Sequence, residues 1–150
     1  GFVKRVSNDS TFIWLAKEYP VATQGIFIYS YPYTGPQDFE LPNLIKRRNE
    51  FAANIPGPSD GSYMITAESY EPDVKYLKIE NRNWIELRGF WDVKNDFMGG
   101  PMVSYTTLDA QNNRIVTIDG FVFSPKNPQR NMVRDLEYLV YSVSFPNDKQ

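Results

Sequence analysis

Three stretches follow one another with only short connections between them: NWIELRGFWDV (83–93), MVSYTTLD (102–109) and RIVTIDGFVF (114–123). Each is rich in β-branched and aromatic residues, and each alternates with the two-residue period of a strand. The connections, KNDFMGGP (94–101) and AQNN (110–113), carry the Gly, Pro, Asn and Asp that chain reversals use. Strands joined this briefly run antiparallel, because a parallel return needs a crossover of about a dozen residues or more. The rest of the chain has to fold around this antiparallel meander.

Other segments extend the pattern. FVKRVS (2–7) and TFIWLAKEY (11–19) read as a hairpin around NDS, and GIFIYSYP (25–32) reads as a strong strand. SYMITAESY (62–70) and VKYLKI (74–79) read as two more strands. Two helices interrupt them. The first spans 41–55, with Leu41, Leu44, Ile45, Phe51, Ala52 and Ile55 at helical spacing, Asp38 as candidate cap, Pro42 in the first turn and PGP (56–58) as stop. The second spans 128–143, with Asn127 as cap, Pro128 at its first position, and a stripe of Met132, Val133, Leu136, Leu139, Val140 and Val143.

The expected architecture is α+β: one mainly antiparallel sheet of about six or seven strands, with two helices packed on one face. It forms a single domain over residues 1–150, a length that buries about 70% of the surface of the unfolded chain. The order strand, turn, strand, Pro-containing loop, helix occurs over 12–55 and again over 102–143, with YSYPYTGPQ where FVFSPKNPQ stands. That echo suggests an internal ββα pseudo-repeat and approximate two-fold symmetry in the sheet.

Composition excludes several chemistries. The chain has no Cys and no His. Thiol nucleophiles, imidazole relays, and thiolate or imidazole metal sites are therefore out of reach, and no cofactor is expected. The net charge is −2, and the densest basic run is KRR at 46–48. Nucleic-acid binding needs a basic stripe that displaces counterions, and one helical turn reads instead as a solvated face. No apolar run approaches the roughly 20 residues that span a bilayer. Oxygen ligands at Asp92, Asn95 and Asp96 suit a hard cation, but their spacing matches no calcium loop and Lys94 intrudes. WDVKNDFMGGP therefore reads as a hairpin connection, with Gly99 and Gly100 free to take positive φ and no metal.

Pairing the three central strands on paper gives a candidate site. With Ile85, Leu87, Gly89, Trp91 and Val93 beside Val103, Tyr105 and Thr107, and those beside Val116, Ile118, Gly120 and Val122, one face is apolar. The other face is mixed and holds Trp84, Glu86, Arg88, Phe90, Met102, Asp119, Phe121 and Phe123. In this register Arg88, Thr106 and Asp119 form one row, either a polar binding site flanked by rings or a solvated cross-strand ion pair. Tyr29, Tyr31 and Tyr33 alternate on the strand at 25–32 and its exit, and could stack on a sugar or peptide. Acid pairs such as Glu86 with Asp92, or Asp92 with Asp119, would serve a glycoside hydrolase if they stood at the right separation.

GIFIYSYPY, IPGPSDGSYM, ELRGFWDVKNDFMGGPMVSY and RIVTIDGFVFSPKNPQRNMVRDLEYLVYSV together resemble the C-terminal half of domain-of-unknown-function family 4837, over about 12–143. The resemblance implies lipoproteins of Bacteroidetes with an upstream signal and lipid-attachment Cys, hence a segment preceding this one and a place in the bacterial cell envelope. It implies no activity and no catalytic residue. The expected function is a non-enzymatic interaction domain, its partner the N-terminal half of its own chain or another envelope protein, reached through the mixed face. It touches the membrane only through the lipid anchor. Small-ligand or glycan binding and a carboxylate hydrolase are the alternatives.

Overall fold

The computed structural model describes residues 2–8, 10–19, 22–123 and 129–146, and the side chains of all of these but 5–8, 19, 22 and 129–132. The strands are β1 (Val3–Asn8), β2 (Phe12–Tyr19), β3 (Ala22–Pro32), β4 (Tyr63–Thr66), β5 (Asp73–Ile79), β6 (Arg82–Lys94), β7 (Gly99–Asp109) and β8 (Arg114–Phe123). A 3-10 turn (Pro36–Phe39) leads into α1 (Leu41–Ala52), and α2 (Gln129–Ser142) follows β8. All eight strands join one antiparallel sheet in the order β1-β2-β3-β8-β7-β6, and the far edge of β6 is divided between β4 and β5. The sheet curls into a half-barrel. The α+β class, the dominant antiparallel sheet and the two helices agree with the sequence reading.

The helices, however, lie on opposite faces. Residues of α1 pack with Phe12, Phe27, Tyr29 and Phe121, whereas Leu136 and Val140 of α2 pack with Ile26, Val103, Ile118 and Val122. The reason lies in β3 and β8. Phe27 and Phe121 bury themselves on one side while Ile26 and Val122 do so on the other. A strand apolar on both sides needs cover on both. The predicted second-helix caps Asn127 and Pro128, and the side chain of Met132, lie outside the described residues, as does the centre of the NDS bend.

This placement also limits the internal echo. β2-β3 and β8-β7 do meet across the centre of the sheet, with Phe27 opposite Asp119. A two-fold axis normal to the sheet would keep both helices on one face, so the symmetry stops at the strands.

Local details depart from the sequence expectation in instructive ways. Asp38 does not cap α1; it accepts bonds from the Thr34 amide (2.7 Å) and hydroxyl (2.9 Å) within the 3-10 turn. α1 begins with Pro in its first turn and no side-chain cap, and it ends at Ala52, leaving Ile55 buried beyond it. β5 and β6 are joined by Glu80 and Asn81 alone, both at positive φ (53° and 65°), the backbone of a tight primed turn.

Candidate functional site

The proposed row of Arg88, Thr106 and Asp119 does not exist. The chain turns between β6 and β7 through residues 95–98, with Asn95 in the left-handed region at φ 69°, so Arg88 stands opposite Val103 and Asp92 opposite Gly99. The observed pairing differs from the predicted one by an odd number of residues, which moves every side chain of β6 to the other face. Arg88 and Asp119 therefore project from opposite faces of the sheet. The mixed face divides likewise: Trp84, Glu86, Arg88 and Phe90 share the α2 side, while Met102, Asp119, Phe121 and Phe123 share the α1 side.

On the α1 side, Asp119 is wholly buried and bound to a residue that the sequence reading left in solvent. Arg48 reaches down from α1, with Nε 2.7 Å from Oδ2 and Nη2 3.2 Å from Oδ1. Its Nη1 donates to Thr66 Oγ1 at 2.9 Å, and its guanidinium lies 5.4 Å from the centroid of the Phe27 ring. Burial pushes the Asp119 carboxyl up, against the opposing pull of Arg48. A signal for this was present. Positions 44, 48, 51, 52 and 55 form one helical stripe, and Arg48 is its only charged member.

Tyr29 and Tyr31 are not a stacking platform. Both are buried beneath α1, where Phe51 stacks on Tyr29 at 4.6 Å and on Tyr31 at 6.3 Å. Tyr33 packs on Phe39. Phe121 and Met102 are core, and Phe123 lies at the rim, 6.5 Å from Trp91.

On the α2 side, Glu86 accepts from Arg88 Nε (2.8 Å) and from the Tyr105 hydroxyl (2.8 Å). Burial works against its ionisation, but the bonds from Arg88 and Tyr105 and the charge of Lys75 outweigh it and hold the carboxyl below its ordinary value. Trp84 is buried, and Phe90 is half-exposed, edge-on to Tyr70 at 5.1 Å. Glu86 and Asp92 lie six residues apart on one strand, about 20 Å, and Asp119 is on the other face. No acid pair stands at glycosidase spacing among these residues.

The 94–101 connection is a staple. Asp96 accepts from the Ser59 hydroxyl and from the Phe97 amide, and Asn95 Nδ2 donates to the Gly61 carbonyl at 3.3 Å. The bonds to Ser59 and Gly61 fasten the hairpin to the loop after α1. The described residues include no cluster of three or more acids placed to hold a metal. Gly99 and Gly100 serve close approach rather than positive φ. A Cβ on Gly100 would stand 2.1 Å from the Val122 carbonyl oxygen, which accepts from Trp91 Nε1 across β7 at 3.1 Å.

One open concavity is bordered by exposed apolar groups. On the α1 side, β5 turns Val74, Tyr76 and Lys78 in the same direction as Leu87 and Ile85 of β6. Phe39 and the first turns of α1 form the opposite bank. The result is a groove of about 510 Å³ walled by Phe39, Tyr76, Lys78, Ile85, Thr106 and Leu108. A further 280 Å³ lies beside Phe39, Leu41, Leu44, Val74 and Tyr76, so Phe39 and Tyr76 wall both. Tyr76 is 76% exposed although it belongs to a strand. Among the described residues β5 pairs only with β6, so its outer backbone edge is free. The alternation of VKYLKI announced a strand but not that it would lie at an edge.

Residues 2–142 match the family described as Domain of unknown function (DUF4837). No curated protein matches the chain. The fold is similar to that of PA94 from Pseudomonas aeruginosa, a protein of unknown function solved by crystallography, with a TM-score of 0.52 and 9% identity over 98% of this chain and 99% of that one. At that identity the likeness is one of fold. No described helix is long and apolar enough to cross a membrane.

Proposed function

The chain belongs to the family described as Domain of unknown function (DUF4837), and from that premise we propose that it is a non-enzymatic protein-interaction domain whose contact surface is the groove beside β5. The observation that carries the reading is Tyr76: a large ring on a strand, mostly in solvent, facing an apolar trough. Exposed aromatic groups beside a concave apolar surface are typical of contact sites. This groove replaces the mixed sheet face as the docking surface, since that face is split across the sheet. The setting we assign is the bacterial cell envelope, with the partner another envelope protein or an upstream part of the same lipid-anchored chain. The resemblance carried by RGFWDVKNDFMGGPMVSY supports that setting.

A photo-crosslinking side chain placed at Tyr76 in the full-length protein, expressed in its native envelope, tests the reading. The same side chain at Tyr138, exposed on α2 across the sheet, is the control. A discrete adduct from position 76 that Val74→Asp abolishes and position 138 does not give is the expected result. Equal adducts from both positions, or none from 76, would reject the groove.

A further inference from the structure

We infer that the outer edge of β5, beside the groove, takes an extended peptide as an added antiparallel strand, with apolar residues at alternate positions, an acidic side chain facing Lys78 and a basic one on the side of Glu40. The inference rests on the groove reading above and specifies its occupant. Three observations support it. The outer edge of β5 is unpaired among the described residues, and an edge strand is a template for main-chain hydrogen bonds from another chain. Every pairing in this sheet is antiparallel, so an antiparallel addition continues its geometry.

The third observation is charge. Lys78 lies on one end of the groove wall and Glu40 on the wall near Val74, both exposed, and neither makes an ion pair among the described residues. Between them the trough offers only apolar or neutral walls. In an antiparallel addition, residues directly opposite share a face. A peptide with its first residue opposite Lys78 then sets its third opposite Tyr76 and its fifth opposite Val74, and its seventh continues past Val74, whose hollow Glu40 lines. The order acid, apolar, apolar, base at alternate positions thus matches the groove in one direction only.

The test uses two labelled peptides, Glu-Thr-Val-Thr-Val-Thr-Lys and Lys-Thr-Val-Thr-Val-Thr-Glu, titrated into the protein by fluorescence anisotropy. The first is expected to bind about fivefold more tightly, the size of effect that exposed charge pairs give. Lys78→Glu with Glu40→Lys should reverse the order of affinity. Methylating alternate amide nitrogens on the edge that faces β5 should abolish binding. Equal affinities for the two peptides would overturn the charge assignment, and indifference to methylation would overturn strand addition. Either failure leaves the Tyr76 adduct standing, so it is distinguishable from failure of the groove itself.

Discussion

Arg48 and Asp119 meet in the interior, Nε to Oδ2 at 2.7 Å, and join α1 to the middle of the sheet with both side chains buried. A buried ion pair does little for net stability against apolar groups of the same size, but breaking it leaves one charge stranded. Arg48→Met or Asp119→Asn alone should cost about 3–5 kcal/mol in urea denaturation. The double change Arg48→Met with Asp119→Leu should recover most of that loss. Additive losses in the double variant would show that the pair does not act as a unit.

Acid should weaken the fold partly through Glu86. Its carboxyl is held below the ordinary value of 4.5 despite burial, by Arg88, Tyr105 and Lys75. A group lowered in the folded state lends stability that is complete above its ordinary value and is lost as pH falls through the folded value. The slope of stability against pH below 4.5 should therefore be shallower in Glu86→Gln than in the parent. Unchanged slopes would remove Glu86 from the acid transition.

Alkali should find resistant phenols. Burial pushes Tyr31 up to about 12, against the pull of Arg47, and burial likewise raises Tyr29 and Tyr105. For these groups the folded state prefers the neutral form. Their stabilising share is full below 10.0 and fades as pH climbs through the raised value. Phenolate absorbance followed during alkaline titration should show a late step near 12 that Tyr31→Phe removes.

Gly100→Ala should open one end of the sheet. The added methyl would stand 2.1 Å from the Val122 carbonyl, so the backbone must give way and the Trp91 indole bond with it. A loss of about 1–3 kcal/mol is expected, the usual cost of overpacking, together with a change in tryptophan emission. Phe97→Ser, at a fully exposed ring on the same hairpin, should stay within about 0.5 kcal/mol of the parent.

The strands and both helices were legible because alternation and helical spacing leave a direct imprint. The register of β6 was not. It has apolar groups on both sides, Ile85 and Leu87 on one and Trp84 and Phe90 on the other, so its polarity pattern does not choose a face. The register follows the length of the turn through 95–98, in which Asn95 takes the left-handed backbone. Arg48 was missed because KRR resembles a solvated run, although its place in the apolar stripe marked it. The groove was hidden for a different reason: an edge is a property of strand order, and strand order is not written in any one segment.

β3 and β8 lie side by side from Thr23 opposite Phe123 to Pro32 opposite Arg114. Closing this seam joins segments separated by more than half of the chain. Long closures cost entropy ahead of any reward, and sheets dominated by them fold slowly, in milliseconds to about seconds. The central seam is thus the natural place for the folding barrier. A nascent chain would carry β3 with one flank unprotected until β8 emerged from the ribosome.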